Sequence, residues 1–283
     1  MLDDATLFAM ASDLSSIGGV EGVVLGGSRA RGAATQGSDA DLGVYLRGAV
    51  DEAAIAGLAQ EWSDASAPPA RWTPSGAWGP WVDGGAWLVV DGTRVDWIRR
   101  DLDRVEAQWQ RAQRGELAFH AQPGHPHGFL DVAYCGELAL GRMLADPSGA
   151  LEERRGRMQA MPPALGSALA GRLWEAGFTI DAAAKAATRA DAAYVALCLA
   201  HAALIAAHAI HGRDLRWSTN EKGLVAAAAR LPHAPAGFAT DVTDALALGD
   251  ASGPALVAAV ERARRLLERV SAAVAERGGG SGV

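Results

Sequence analysis

GGSRARGAATQGSDADLGVYL, residues 26–46, joins two apolar stretches through a loop of small and polar side chains. The valine-rich run Val20–Leu25 before it and the run Ala40–Leu46 at its end both have the composition of β-strands. Side chains two positions apart in a strand lie on the same face, so Asp39 and Asp41 are predicted to point the same way. Carboxylate oxygens suit Mg²⁺, which protein sites usually share with substrate phosphates. The stretch therefore predicts a glycine turn between two strands, the second carrying a metal-binding acid pair.

The beginning of this stretch has the properties of a phosphate-binding turn. Gly26 and Gly27 lack a Cβ and would let a phosphate approach the backbone closely. Ser28 starts a predicted short helix, whose N–H groups and dipole favour an anion. Arg29 and Arg31 follow, and the sequence leaves open whether they reach a phosphate or only solvent. The alternative is an ordinary turn with capping acids, since Gly, Ser and Asp are common turn residues.

A third carboxylate, Asp96, lies on the clearest hairpin of the sequence. The predicted strands Ala86–Val90 and Thr93–Ile98 flank Asp91-Gly92, a dipeptide that supplies the positive φ angles of a type I′ turn. If the second strand lies beside the acid pair, three carboxylates converge, which suits two-metal phosphoryl transfer. Asp96 or the metal would then handle the proton of the attacking hydroxyl. The alternative is that Asp96 only pairs with a neighbouring arginine.

Gly-Gly-Ser at 26–28, Asp-Ala-Asp at 39–41 and the later strand with Asp96 together resemble the nucleotidyltransferase superfamily, which includes DNA polymerase β and the antibiotic nucleotidyltransferases. The resemblance covers residues 20–100. It implies a mixed β-sheet domain with flanking helices, two Mg²⁺ ions held by the three acids, and ATP or another NTP as co-substrate. The implied reaction moves a nucleoside monophosphate onto a hydroxyl and releases pyrophosphate.

Beyond residue 115 the strand signals end and the chain is predicted to be helical. The predicted helices are 128–145, 164–178, 181–211, 221–230 and 254–276. The proline- and glycine-rich segment 121–128 is the predicted junction, which gives a catalytic domain at 1–120 and a helical domain at 121–283. The predicted fold class is therefore α+β, a mixed-sheet domain followed by an all-α helical bundle.

This order of domains is similar to the kanamycin- and streptomycin-type nucleotidyltransferases, in which the nucleotide and a small-molecule substrate lie between the two domains. The streptomycin-type resemblance implies that a lysine of the helical domain meets the triphosphate, and Lys222 in RWSTNEKGL is the candidate, with a solvated lysine as the alternative. The kanamycin-type resemblance implies a glutamate base, for which Glu137 in VAYCGELAL is the local candidate. The implied acceptor is a small molecule such as an aminoglycoside-like antibiotic.

The composition favours the same class of substrate. A net charge of -7 disfavours nucleic acid as a partner and agrees with a cationic small molecule. The two cysteines are far apart, and the N-terminus has acids where a secretory signal has basic residues, so a cytoplasmic protein is expected. The segment 192–210 has no charged residue, but its alanine content and two histidines favour a buried bundle helix over a membrane span.

The sequence also leaves a second function and several clusters open. A nucleotidyltransferase-like module that binds or nucleotidylates a protein partner, as in regulatory or antitoxin roles, is the alternative function. Two aromatic or imidazole clusters fit either ligand contacts or packing, namely Trp72, Trp78, Trp81 and Trp87, and the helical stripe of His201, His208 and His211. His125 and His127 in the predicted junction fit either substrate contact or packing. The acceptor, the choice of NTP and the oligomeric state are not determined by the sequence.

Overall fold

The α+β fold class predicted from the sequence is confirmed. A computed structural model of the chain, which describes residues 2–30, 32 and 37–275, has a mixed β-sheet towards the N-terminus and helices beyond it. Arg31, one of the predicted phosphate-binding residues, lies outside the described residues.

Contacts divide the chain into two compact units. The first comprises Met1–Arg111 and Ala118–Ala160, and the second comprises Ala112–Leu117 and Met161–Val283. The predicted domains, 1–120 and 121–283, differ from this division, because a strand that follows residue 140 completes the sheet of the first unit.

The first unit is built on a five-stranded sheet. The strands of this unit are β1 (Val20–Leu25), β2 (Ala40–Leu46), β3 (Gly85–Val90), β4 (Thr93–Asp101), β5 (Phe119–Gln122), β6 (His125–Leu130) and β7 (Arg142–Ala145). The sheet has the order β3-β4-β2-β1-β7, and β5 pairs with β6 in a separate hairpin. β2 and β4 run parallel, and the other neighbours in the sheet run antiparallel. The predicted strands at 20–25 and 40–46 and the predicted hairpin are therefore confirmed.

Short helices surround this sheet. They are α1 (Asp4–Ser15), α2 (Gly27–Ala30), α3 (Glu52–Trp62), α4 (Leu102–Gln113), α5 (Ala133–Leu140) and α6 (Ala150–Met158). Two of them begin at a capping aspartate: the Asp3 side chain accepts from the Thr6 N–H at α1, and the Asp51 side chain accepts from the Ala54 N–H at α3. Such caps satisfy N–H groups that have no partner within the helix.

The two faces of the sheet have different environments. Leu7 and Met10 of α1 and Ile55 of α3 are buried in one cluster with Leu42 and Trp97, so this face carries the hydrophobic core. Successive strand side chains alternate between faces, which places the remaining positions of β2 and β4 on the other side. We call that side the polar face. It carries Asp41 and Tyr45 of β2 together with Asp96 and Arg100 of β4.

The prediction of a helix over 128–145 is wrong at both ends. Residues 125–130 form β6, residues 142–145 form β7, and only Ala133–Leu140 is helical. β7 is an edge strand whose partner, β1, is more than a hundred residues earlier in the chain, with Leu25 opposite Arg142. A four-residue strand with such a distant partner has no local signature, because its pairing depends on the rest of the sheet.

The second unit is a set of helices. They are α7 (Pro163–Gly171), α8 (Leu173–Ala187), α9 (Ala192–Arg213), α10 (Leu224–Ala228), α11 (Phe238–Leu246) and α12 (Gly253–Ala275). The predicted continuous helix over 181–211 is interrupted: Ala190 has a φ of 55°, and Asp191 then caps α9. The helix predicted at 254–276 is confirmed as α12. No helix was predicted over α11, which has only nine residues.

α9 is the uncharged segment that the sequence marks as long enough to cross a membrane. Within the described part of the chain it is the one helix long and apolar enough to do so, and more than half of its apolar stretch is buried. Val195, Leu199, Ile205 and Ile210 of α9 are buried in the hydrophobic clusters of the second unit. Its apolar composition is therefore accounted for by packing, as the sequence predicts.

The crossing of α7 with α9 depends on two glycines. A Cβ built on Gly212 would lie 2.6 Å from the carbonyl oxygen of Gly166 and 2.9 Å from Cβ of Leu169. A contact this close to backbone atoms leaves no room for a side chain.

We therefore expect Gly212→Ala to lower the free energy of unfolding by about 1–3 kcal/mol, because the helices must separate. The control is Gly177→Ala in α8, where the nearest atom to a new Cβ is Leu267 Cδ2 at 3.6 Å. This control should gain up to about 1 kcal/mol in helix propensity. Urea unfolding measures both changes, and equal stability of the two variants would contradict the close crossing.

Candidate functional site

The polar face brings two of the predicted acids together. In the parallel pairing of β2 with β4, Asp41 is directly opposite Asp96. Residues directly opposite each other lie on the same face of neighbouring strands, which are about 4.8 Å apart. Both carboxylates are partly buried. The predicted juxtaposition of β2 and the Asp96 strand is therefore present, with Asp41 rather than Asp39 facing Asp96.

The glycine turn lies next to Asp41. The Gly26 N–H donates to the Asp41 carbonyl oxygen at 2.8 Å, which continues the strand pairing into the turn. Gly27 has a φ of 61°, and a Cβ at this position would overlap Asp41 Oδ2. Two constraints thus require glycine at position 27: the left-handed backbone and the space taken by the Asp41 carboxylate. Ser28 follows in the short helix α2, as predicted.

Arg29 closes the loop that carries Asp39. Its Nη2 donates to the Ser38 carbonyl oxygen at 2.9 Å, and its Nε donates to the Asp39 carbonyl oxygen at 3.2 Å. Arg29 therefore holds the chain just before β2 against α2. These backbone partners give Arg29 a structural role that differs from both roles the sequence left open for it, phosphate contact and exposure to solvent.

The three predicted acids do not converge on one point. Asp39 precedes β2 and is exposed. Across the described residues, no group of three or more His, Cys, Asp or Glu side chains is placed to hold a metal ion. The expected three-carboxylate cluster is therefore reduced to the pair Asp41 and Asp96, with Asp39 two residues from the first of them. The oxygen donors of this pair, beside the glycine turn, fit a hard cation such as Mg²⁺.

Glu137 is held by an arginine at another part of the polar face. Arg100 donates from Nε to Glu137 Oε2 at 2.5 Å and from Nη2 to Oε1 at 2.9 Å. Arg100 is four residues beyond Asp96 on β4, which corresponds to about 13 Å along the strand. Both oxygens of Glu137 are thus already acceptors of charged hydrogen bonds. The proposed alternative role of Glu137 as base is not supported by this arrangement.

The surroundings of Arg100 stabilise its charge. Burial opposes the charged form, but the Glu137 carboxylate outweighs burial and raises the pKa of the guanidinium. The Tyr134 ring stacks under the guanidinium, with the Arg100 Cζ 5.1 Å from the ring centroid. Tyr45 is opposite Arg100 on β2, and burial, followed by the charge of Glu137, raises the pKa of its hydroxyl. This part of the face is a structural ion pair between a buried arginine and a partly buried glutamate.

Two of the four clustered tryptophans serve packing. The Trp72 indole N–H donates to Glu52 Oε2, and Arg99 lies over the Trp72 ring at 5.3 Å. The Trp81 ring packs against the Tyr134 ring, with 5.7 Å between centroids. These contacts occupy the rings of Trp72 and Trp81 within the first unit.

Trp78 and Trp87 form a different arrangement. Their rings stack with centroids 4.4 Å apart and planes 6° apart. Trp87 lies directly opposite Asp96 in the antiparallel pairing of β3 with β4, so it shares the polar face with both acids. Trp87 is also 63% exposed. Sequence reasoning found the tryptophan cluster but missed this placement, because β3 is GAWLVV without a polar residue and its alternation of buried and exposed positions is visible only in the structure.

Lys222 lies in the second unit, whereas the predicted pair His125 and His127 lies in the first. Lys222 is exposed in the turn before α10, where its N–H donates to Asn220 Oδ1 at 2.8 Å. It therefore lies near the start of a helix, as predicted, while its role in binding a triphosphate stays a prediction. His125 and His127, which belong to the first unit, make ring contacts with Phe129 and Phe119.

Each histidine of the α9 stripe has a separate protein partner. The contacts are His201 Nε2 with Glu175 Oε1 at 3.0 Å, His208 Nδ1 with Ser218 Oγ at 3.3 Å, and His211 Nδ1 with the Arg216 carbonyl oxygen at 3.0 Å. Burial lowers the pKa of His211, which favours its neutral form. The packing interpretation of the stripe therefore accounts for all three residues.

Comparison with known proteins gives one family match. Residues 9–106 match the family model described as nucleotidyltransferase domain, which covers less than half of the chain and supports nucleotidyl transfer as the general class of reaction. No curated protein matches the sequence. A crystal structure of a nucleotidyltransferase-like protein from Exiguobacterium sibiricum 255-15 aligns over 94% of this chain and 74% of that chain, at 11% identity and a TM-score of 0.44. Similarity at this level supports no inference about activity.

The ion pair of Arg100 with Glu137 makes a prediction about stability. We expect Glu137→Gln to lower the free energy of unfolding by about 3 kcal/mol, because the buried Arg100 loses its charged partner. The double variant Arg100→Met with Glu137→Leu should recover most of this loss, since no buried charge is then left unpaired. A double-mutant cycle by urea unfolding measures the coupling. Additive effects of the two positions would contradict the role of the pair.

Proposed function

We propose that the protein is a Mg²⁺-dependent nucleotidyltransferase that moves a nucleoside monophosphate, AMP from ATP in the first instance, onto a hydroxyl of a small molecule and releases pyrophosphate. One observation carries the proposal. Asp41 faces Asp96 on paired strands, beside a glycine turn, within the segment that matches a nucleotidyltransferase domain. Two oxygen-donor side chains next to a glycine turn are what a metal–triphosphate complex needs.

Each residue of the candidate site has a proposed role. Asp41 and Asp96 would hold Mg²⁺, with the exposed Asp39, two residues before Asp41, as a further proposed ligand, and two ions are expected for this chemistry. Bound Mg²⁺ supplies charge neutralisation at the phosphates. Backbone N–H groups at Gly27 and Ser28 donate to phosphate oxygens. Arg31 and Lys222 are proposed as further phosphate contacts.

Asp96 is proposed to accept the proton of the attacking hydroxyl. The acceptor oxygen forms a bond to the α-phosphorus while the bond from that phosphorus to the α,β-bridging oxygen breaks. Pyrophosphate leaves with the electron pair of the broken bond, and the hydroxyl proton passes to the Asp96 carboxylate. Glu137 is not chosen for this step, because both of its oxygens accept from Arg100.

The acceptor is proposed to be a cationic small molecule of the aminoglycoside-like class. The net charge of -7 supports a cationic ligand over a polynucleotide, whose phosphates would be repelled. A cytoplasmic location without membrane attachment is part of the proposal. Transfer to a protein partner is the competing outcome, and labelled ATP distinguishes the two by the size of the labelled product.

The first test removes the carboxylates. We expect Asp41→Asn and Asp96→Asn each to lower pyrophosphate release on the order of 10³-fold, because metal binding or proton transfer is lost. The assay uses Mg²⁺, ATP and either kanamycin A or streptomycin. The matched control is Asp91→Asn in the turn of the same hairpin, at a φ of 50° that asparagine tolerates. Full activity of Asp41→Asn would overturn the mechanism.

The second test concerns the turn. Gly27→Ala should displace the Asp41 carboxylate and lower kcat about 100-fold, in addition to a backbone cost of about 1–2 kcal/mol in stability. Gly48→Ala is the control, since Gly48 has a φ of 68° but no atom within 4 Å of a new Cβ. The control carries the same backbone cost and should keep its activity. Equal loss of activity in both variants would show that strain alone, and not the position of Asp41, matters.

A further inference from the structure

The stacked pair Trp78 and Trp87 is the feature of the polar face that the proposed mechanism does not use. Trp87 is 63% exposed although it is a large apolar side chain in the middle of a strand. Single exposed apolar residues are common, but this one is backed by a parallel indole 4.4 Å away and lies next to a carboxylate row. A flat, exposed ring at such a position is suited to bind another ring.

The pair is held in place before any ligand arrives. The Trp78 carbonyl oxygen accepts from Gln122 Nε2 at 3.1 Å, and the Trp78 N–H donates to the Asp83 carbonyl oxygen at 3.4 Å. Gln122 is itself buried. At Gly85 a new Cβ would lie 3.0 Å from Trp78 Cη2, so the glycine leaves room for the indole on the sheet. We call the stacked pair Trp78 and Trp87 the indole platform. Because it is already ordered, little entropy is lost when a ligand binds to it.

The order of residues across the sheet indicates which ligand binds to this platform. Successive neighbours in one row are Trp87 on β3, Asp96 on β4 and Asp41 on β2, followed by the glycine turn after β1. The strands are about 4.8 Å apart, so Trp87 lies about 10 Å from Asp41 on the side away from the turn. Two carboxylates thus separate the phosphate-binding turn from the indole platform.

We propose that Trp87, backed by Trp78, is the stacking surface for the ring of the acceptor and determines which acceptors are used. The inference rests on the proposed function. In an in-line displacement the incoming oxygen approaches the α-phosphorus from the side opposite the departing pyrophosphate. With the pyrophosphate at the turn of Gly27 and Ser28, the incoming hydroxyl comes from the side of Trp87. The row therefore places the acceptor, rather than the nucleobase, on the platform.

The chemistry of the platform specifies the class of acceptor. An indole face binds the apolar C–H face of a sugar ring and attracts amines attached to that ring. Asp96 beside it attracts the same cations and takes the proton of the reacting hydroxyl. A sugar ring that carries amines can contact both the Trp87 indole and the Asp96 carboxylate, whereas a neutral aliphatic alcohol has neither a ring face nor a positive charge for these contacts.

The test measures binding as well as turnover. Isothermal titration calorimetry with kanamycin A and streptomycin, and separately with the Mg²⁺ complex of α,β-methylene-ATP, compares wild type with Trp87→Ala. A cation–π contact with an indole contributes about 2- to 30-fold in affinity, so we expect about tenfold weaker binding of the amino sugar and nucleotide affinity within about twofold of wild type. Trp87→Phe, which keeps a ring, should recover most of the loss.

The controls separate a lost contact from a damaged fold. Phe8→Ala removes an exposed aromatic residue from α1, on the other side of the sheet, and should leave both affinities unchanged. The thermal midpoint of Trp87→Ala should stay close to that of wild type, because the side chain is mostly exposed. If this variant unfolds, Trp87→Phe and Trp87→Gln provide the same comparison with a smaller change of volume.

Three results would overturn the inference: unchanged amino-sugar affinity in Trp87→Ala, loss of nucleotide affinity alone, or no binding of either amino sugar by the wild-type protein. The first two are compatible with pyrophosphate release that depends on Asp41, so they reject the platform and leave the proposed function standing. Turnover that persists in Asp41→Asn rejects the proposed function, whatever effect the substitutions at Trp87 have on affinity.

Discussion

The parallel pairing of β2 with β4 is the constraint on which the candidate site depends. Asp41 and Asp96 are far apart in sequence and meet only because this register places them opposite each other. A slip of one residue would move every side chain of β4 to the other face. Trp97 opposes such a slip, since it is fully buried on the core face and its indole N–H donates to Met10 Sδ at 3.0 Å. The hydrophobic core thus determines where the carboxylates lie.

The polar face combines two charged regions of different character. At one end, Asp41 and Asp96 lie beside the glycine turn, where Gly27 leaves room for the Asp41 carboxylate. Further along β4, Arg100 is 4% exposed and bound through two hydrogen bonds to Glu137. A buried charge without a partner is costly, so Glu137 is required where it is for stability. The carboxylate of Glu137 is thus occupied by an arginine, whereas Asp41 and Asp96 lie beside the glycine turn.

The loop between β1 and β2 shows how local and long-range contacts combine at the site. The Gly26 N–H extends the pairing with β2, and Arg29 reaches back to the carbonyl groups of Ser38 and Asp39. These contacts fasten both ends of the loop to the sheet. On the far side of the acids, Gly85 makes room for Trp78, which supports Trp87. Gly27 and Gly85 therefore provide the space for side chains at the two ends of the row formed by Asp41, Asp96 and Trp87.

Local patterns in the sequence determined the elements that have a strong period or turn signal. The valine-rich run of β1, the strand after Asp39, the Asp91-Gly92 hairpin and the long amphipathic α12 all follow from side-chain periodicity and turn chemistry, which act between near neighbours. The residue types of the glycine turn and the acid pair were also evident without a fold. Each of these features depends on residues only a few positions apart.

Only the tertiary structure decided which of the candidate residues lie together. β7 joins the sheet through a distant partner, the left-handed Ala190 separates α8 from α9, and Glu137 is paired with an arginine from another element. Asp39 stays exposed while Asp41 faces Asp96, and one of four similar tryptophans comes to lie beside them. The physical reason is that strand register and long-range ion pairs are selected by burial of the whole core, which no local window of sequence contains.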